Sequence, residues 1–219
     1  MPQFAEKKLS PHGIRSLTFL KRWQPMAEIF KSGARPDDLG KAYEMLRGRA
    51  GLYQCESQAI WDFIRAKDIR SIVEVGRNAG AGVFLLACAA RNLCRFLSID
   101  VFSCAEMDEV IPAWANINGF EMEVVTCDSM EYEPDRNQRW DFVFVDGGHT
   151  GSVVTNDLEK FRGLTRYIGF HDFADLGRRN THKICYRGVV EAVSSARDRH
   201  GWKQVGSRGR SEVIFDTGE

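Results

Sequence analysis

The sequence predicts an open, doubly wound α/β sheet, mostly parallel and ending in an antiparallel hairpin. Three observations carry this. Apolar, β-branched runs begin near residues 71, 96, 122, 140 and 166, and a separation of roughly 20–25 residues fits β-α-β units with right-handed crossovers. The runs are apolar almost throughout, as expected when both faces of a sheet are covered. Finally, WKQVG and SEVIFD flank the turn-like SRGR near the end of the chain.

Residues 1–50 lack strand-like alternation and are punctuated by Pro11, Pro25, Gly33 and Pro36. Within them, SLTFLKRWQPMAEIF sets Leu17, Leu20, Trp23 and Met26 or Ile29 near one helical face. DDLGKAYEMLRGR is a second short helix with Asp37 or Asp38 as its cap. This helical N-terminal extension is expected to pack on the main domain, with a lid over the site or a homodimer contact as the functional alternatives. From residue 51 the rhythm is helix (CESQAIWDFIRAKDI), strand SIVEV (71–75), helix (GVFLLACAARN) and strand FLSID (96–100). A mixed stretch containing Pro112 and Trp114 has no assigned element. Then come MEVVTCD (122–128), the very apolar WDFVFVD (140–146), helix SVVTNDLEKF, strand RYIGFHD (166–172) and the late helix GVVEAVSSARDRHG.

Composition narrows the function. A chain of 219 residues with 43% hydrophobic and 27% charged residues is an ordinary globular composition, not a disordered tail or a rod. Lys+Arg and Asp+Glu are both 30, so no bulk positive field draws nucleic acid, although a local patch stays open. No apolar run approaches the ~18 residues of a membrane span, and MPQFAEKKLSPHG lacks a signal-peptide core. A cytoplasmic protein without a membrane partner is expected. Cys55, Cys88, Cys94, Cys104, Cys127 and Cys185 form no C-x-x-C, so reduced thiols are expected.

In such a sheet ligands bind outside the carboxyl ends of the strands. The first end is Glu74-Val75-Gly76-Arg77-Asn78-Ala79-Gly80-Ala81-Gly82, a pattern E-x-G-x-x-x-G-x-G. It is neither the dinucleotide G-x-G-x-x-G nor a P-loop. Glu74 beside it would repel a pyrophosphate and attract an ammonium. Asp100 ends the second strand; an acid about 20 residues beyond the loop suits ribose hydroxyls, and a helix cap is its plain alternative. Asp128 and Ser129 follow the third strand, suited to an adenine amino group or simply to a turn. Asp146-Gly147-Gly148-His149 and His171-Asp172 follow the fourth and fifth. Polar residues on five successive strand ends make one site.

VEVGRNAGAG, FLSID, VTCDS, WDFVFVDGGHTGSVVTNDLEKF and GFHDF resemble the class I S-adenosylmethionine-dependent methyltransferases. They are most similar to the small-molecule and sugar O-methyltransferase branch. The resemblance spans about residues 51–215. It implies an S-adenosylmethionine-binding domain over 51–219 and a seven-stranded Rossmann-like sheet with a reversed C-terminal hairpin. It also implies cofactor contacts: Gly76, Gly80 and Gly82 beneath the cofactor, Glu74 toward the methionine end, and Asp100 on the ribose. Asp128 and Ser129 would flank the adenine, and Asp146 would lie beside the methionine and the acceptor. Two departures stand out. The Pro-Gly-Gly turn usual before the fifth strand is absent from Phe161–Tyr167, and Gly148 occupies a position where many relatives have an acid.

The implied reaction is methylation of a small hydroxylated acceptor, such as a sugar or secondary metabolite. It needs alignment and a base. His149 and His171 are the candidates, with His149 favoured because D-G-x-H projects from the central strand; a histidine bound only to backbone is the plain alternative for each. A second route uses Mg2+ or another divalent cation on Asp146, His171 and Asp172. Trp114, Phe120, Trp140 and Tyr186 suit either a core or an acceptor-pocket wall. Arg178–Lys183 suits an anionic acceptor or a solvated loop. Two other functions compete: a nucleotide-dependent oxidoreductase, whose glycine pattern is missing, and a non-catalytic cofactor-binding protein on the same fold.

Overall fold

The computed structural model describes residues 17–46, 54–173, 183–206 and 212–219. The basic run Arg178–His182 and the SRGR turn lie outside the described residues, as does the side chain of Tyr186. The chain runs α1 (Leu17–Lys31), α2 (Leu39–Leu46), α3 (Gln54–Ala66), β1 (Ser71–Val75), α4 (Ala81–Ala89), β2 (Arg95–Asp100), α5 (Ala105–Ile117) and β3 (Glu121–Thr126). It continues β4 (Trp140–Val145), α6 (Gly151–Phe161), β5 (Thr165–Phe170), α7 (Lys183–His200), β6 (Lys203–Gly206) and β7 (Val213–Asp216).

The seven strands lie in the order β3-β2-β1-β4-β5-β7-β6. β1 pairs in parallel with both β2 and β4, while β7 is antiparallel to β5 and β6. The sheet is the mostly parallel, doubly wound one that the strand spacing predicts, with the reversed closing hairpin. Strand order reverses between β1 and β4, so the chain leaves the sheet in opposite directions there and opens a crevice at their carboxyl ends.

Alternation along the strands divides the core in two. Ile72, Phe96, Phe142, Phe144 and Tyr167 face one side and pack with residues of α1 to α5. Val73, Val75, Val143, Val145 and Ile168 face the other and pack with Val154, Leu158, Val189 and Val193 of α6 and α7. The N-terminal helices belong to the first core: Met26, Ala27, Phe30, Leu39, Ala42 and Leu46 are all buried in it. Asp38 caps α2, its carboxylate accepting from the Lys41 N–H at 3.0 Å. Phe30 meets Trp114 edge-on at 5.1 Å, and Trp114 meets Phe120 at 5.5 Å. Trp114 Nε1 donates to the Ala34 carbonyl at 2.9 Å.

This packing decides one reading that the sequence leaves open and gives an element to a stretch it leaves unassigned. Trp114 and Phe120 are core, not acceptor-pocket wall, and buried Trp140 lies at the amino end of β4 beneath the Arg95 guanidinium at 4.3 Å, away from the crevice. The unassigned stretch around Pro112 is α5, a 13-residue helix with that proline inside it. Pro112 removes one helical N–H. The helix persists because Met107, Ile111, Trp114 and Ala115 form one buried face and Glu106 and Asp108 sit in its first turn. Among the described residues no helix is long and apolar enough to cross a membrane, and Cys88, Cys94, Cys104 and Cys127 are free thiols.

Candidate active site

The glycine loop leaves β1 at Gly76 and enters α4 at Ala81. Gly76 has φ +104, and a Cβ on it would lie 2.2 Å from the Asp146 carbonyl oxygen. Only a glycine lets the loop lie this close to the end of β4. A Cβ on Gly82 would lie 2.0 Å from Glu74 Oε1, and one on Gly80 would meet Phe30 of α1 at 3.1 Å. At all three positions the missing methyl points into the protein. The glycines bring the loop down onto β4, Glu74 and the N-terminal helix.

Glu74 is 1% exposed, and its Oε2 accepts from Ser98 Oγ at 3.2 Å. Burial, and then the nearby Asp146 charge, push its carboxyl up to about 8, against the pull of Ser98 and Arg77. Arg77 lies buried in the same loop. It donates to the carbonyls of Ser98 and Phe102 at 3.4 and 3.2 Å and pairs with Asp108 at 3.2 Å. One guanidinium thus joins the loop after β1 to the loop after β2 and to α5. Asp100, nearly buried, accepts from the Asn78 N–H on Oδ2 and the Phe102 N–H on Oδ1, both at 2.7 Å. Its neighbour Val101 is 57% exposed.

Asp128 begins the loop after β3 and is exposed. Its Oδ1 accepts from the Met130 N–H at 2.9 Å, and Met130 is 44% exposed. Parallel pairing of Asp100 with Thr126 brings the ends of β2 and β3 side by side. Exposed apolar Val101 and Met130 therefore lie on the same rim as Asp100 and Asp128.

The fourth and fifth strand ends carry the titratable cluster. The His171 N–H bonds the Val145 carbonyl at 3.1 Å, extending the β4–β5 ladder, so Asp146 and His171 emerge side by side. His171 Nδ1 lies 3.0 Å from Asp146 Oδ1 and 3.4 Å from Asp172 Oδ2. His149 Nε2 lies 2.6 Å from the same Asp172 oxygen. Asp172 has φ +57, the left-handed region that few side chains adopt. The Asp172 hydrogen bond, opposed by burial, raises His149 above its ordinary value of 6.5. Burial acts to raise Asp172, but hydrogen bonds from His149 and His171 outweigh it and hold this carboxyl far below the usual range. The His149 side chain is 37% exposed and that of His171 11%. A small cavity opens here, lined by Val145, Asp146, His149, Phe170, His171 and Val189.

Asp146, His149 and Asp172 each place one donor atom within 4.8 Å of the others. The sequence reading groups His171 with these two acids; here His149 completes the set, and His171 Nδ1 bridges the same two carboxylates. Two carboxylates and an imidazole suit a divalent ion that accepts mixed oxygen and nitrogen ligands. An acid at Gly148 would bring its Cβ to 2.8 Å from Val153, so this chain fills that place with packing. Gly188 of α7 approaches the same loop, where a Cβ would lie 2.7 Å from the His149 carbonyl.

The structure thus gathers Glu74, Gly76, Asp100, Asp146, His149, His171 and Asp172 along one edge, with Asp128 and Ser129 at its far side. Sequence reasoning missed Arg77, Val101 and Met130. The last two read as ordinary surface positions, and Arg77 as an indifferent residue between glycines.

Residues 73–173 match the model of a family described as a methyltransferase domain. No curated protein sequence matches the chain. Several solved structures share its fold. One is a Staphylococcus aureus protein solved as a candidate caffeoyl-CoA O-methyltransferase, at 12% identity, covering 90% of this chain and 99% of that one, with a TM-score of 0.61. Another is the SAH-bound methyltransferase PaMTH1 of Podospora anserina, at 12% identity, coverage of 96% and 98%, and a TM-score of 0.59. The O-methyltransferase TomG of Streptomyces achromogenes, involved in tomaymycin synthesis and solved with SAM, has 17% identity, coverage of 90% and 98%, and a TM-score of 0.55.

Proposed function

We propose, proceeding from a chain that carries a methyltransferase domain over residues 73–173, that it transfers a methyl group from S-adenosylmethionine to a hydroxyl of a small acceptor. The observation that carries this reading is the His149–Asp172 pair, at 2.6 Å, beside Asp146 on the glycine-loop edge of the sheet. A base with its orienting carboxylate stands where an acceptor would meet the donor. S-adenosylmethionine supplies an electrophilic methyl carbon on a cationic sulfonium.

The residues present fit that donor. Each Asp100 oxygen receives one backbone N–H and keeps lone-pair capacity for a ribose hydroxyl. Val101 and Met130 offer apolar surface to the adenine, and Asp128 with Ser129 offers acceptors to its amino group. Glu74 and Asp146 give negative charge to the ammonium end. His149 removes the acceptor proton, and Asp172 holds the resulting imidazolium. His171, between Asp146 and Asp172, fixes the two carboxylates.

Glu74 adds a measurable consequence. With its carboxyl near 8, Glu74 is mostly protonated at pH 7 in the free protein. An ammonium placed nearby favours the carboxylate, so binding S-adenosylhomocysteine expels the proton. Titrations at pH 7 in buffers of different ionisation enthalpy should show release approaching one proton per ligand. Glu74→Gln should abolish it; a wild-type enthalpy independent of buffer would refute this role.

The donor set of Asp146, His149 and Asp172 supports a second reading, in which a divalent cation lowers the pKa of the acceptor hydroxyl. One experiment tests both. Methyl-labelled S-adenosylmethionine is incubated with a panel of sugars, phenols and catechols, with and without chelator. Label in an O-methyl ether that survives chelation supports the base route, and loss on chelation with return on adding Mg2+ or Mn2+ supports the metal. Label in no acceptor hydroxyl contradicts the proposal.

A further inference from the structure

We infer that Lys160, outside the reacting centre, is a positioning residue that sets adenine specificity by clamping the loop after β3. The inference rests on the proposed use of S-adenosylmethionine.

Lys160 lies on α6 and is buried, although its side chain ends in an ammonium. Its Nζ donates to three carbonyls of one loop: Ser129 at 2.9 Å, Met130 at 2.8 Å and Tyr132 at 2.5 Å. Its ion-pair partner among the described residues is the exposed Glu133, at 3.6 Å. A buried ammonium demands such partners, and the three carbonyls all come from the stretch bearing Asp128 and Ser129. Asn156, one helical turn back, adds a bond to the Ser129 carbonyl at 3.3 Å. Tyr132 stacks on Phe161 at 6.3 Å.

The loop is held from the opposite polarity by Asp128. The Asp128 carbonyl accepts from the N–H groups of Glu131 and Tyr132 at 2.9 and 3.1 Å, and its Oδ1 accepts from that of Met130 at 2.9 Å. Amides are drawn to Asp128 and carbonyls to Lys160, which fixes the peptide planes between them. The need for the clamp comes from the sheet order. β3 is an edge strand, and among the described residues no strand lies beyond it to support the loop at its carboxyl end. The residues placed to meet the base are therefore held from α6. A long apolar side chain at 160 would fill the same space, but it would remove all three Nζ bonds, leave the Ser129 carbonyl with Asn156 alone and free the loop to shift Asp128.

The test compares S-adenosylhomocysteine with its hypoxanthine counterpart, S-inosylhomocysteine, by calorimetry. An Asp128 carboxylate accepts from the adenine amino group and is repelled by the hypoxanthine oxygen, so wild type should prefer adenine by about tenfold or more. Lys160→Met should weaken the adenine ligand about tenfold and leave the hypoxanthine ligand nearly unchanged, so that the preference collapses. If Lys160→Met does not fold, Lys160→Gln, which keeps a donor, should show the same collapse in part. Equal weakening of both ligands in the variant, or an unchanged preference, overturns the inference, as does a wild type that binds both ligands equally. A wild type that binds neither ligand overturns the methyl-donor reading and this inference with it.

Discussion

Replacing Gly76 by alanine is expected to destabilise the free protein by roughly 3 kcal/mol or more, the combined scale of a disfavoured backbone region and a steric insertion. Two physical terms act together. The backbone at Gly76 has φ +104, and the added methyl would sit 2.2 Å from the Asp146 oxygen and 2.7 Å from the Gly147 nitrogen. Those atoms directly follow the central strand β4, which is paired on both sides, and Asp146 is itself tied to the Val75 carbonyl, so they cannot withdraw. Gly119 provides the control. Its φ is +76, but a Cβ there meets nothing within 4 Å. Gly119→Ala should therefore show the backbone term alone, about 1 kcal/mol. Chemical denaturation of the two variants separates the terms. If Gly76→Ala is as mild as Gly119→Ala, the loop is not seated on β4 as described. The clash lies directly behind Asp146, so the variant should also lose affinity for S-adenosylhomocysteine.

His149→Ala is expected to lower kcat by about 10²–10⁴-fold, the scale of a positioned general base, while the dissociation constant of S-adenosylhomocysteine stays within about twofold. The separation arises from the geometry, because His149 pairs with Asp172 beyond the ends of β4 and β5, while the Asp100 carboxylate is held by the Asn78 and Phe102 N–H groups at the end of β2. The pH profile carries the sign. Asp172 raises the imidazole above 6.5, so the rate should climb with pH through that raised value as the base loses its proton. Asp172→Asn removes the cause of the shift. Its acid limb should move to lower pH even as the maximum rate falls. A loss of less than tenfold in His149→Ala, or a limb that does not move in Asp172→Asn, would remove the base assignment.

Much of the fold and part of the site are legible in the sequence, for reasons that can be named. The strands at 71, 96, 122, 140 and 166 are short apolar runs at β-α-β spacing, and each lies within about two residues of its observed bounds. The strand-end acids can be read because a parallel sheet brings all its carboxyl ends to one edge. What escapes depends on tertiary contact. α5 is obscured by Pro112, whose local penalty is outweighed by the burial of Ile111 and Trp114. The aromatic set of Trp114, Phe120 and Trp140 has no feature in one dimension that separates a core from a pocket wall. His149 and Asp172 are 23 residues apart in the chain, and they meet only because β4 and β5 lie side by side. Lys160 reads as the polar side of an amphipathic helix, yet it is buried, because its acceptors come from a loop that precedes it by about 30 residues.

The most direct measurement is calorimetric titration of S-adenosylhomocysteine into wild type and Asp100→Ala. Micromolar binding by wild type, near −8 kcal/mol, that weakens at least tenfold when the Asp100 carboxylate is removed is the predicted result. An absence of binding by wild type, or equal binding by the two proteins, would contradict the assignment of this sheet edge to a methyl donor.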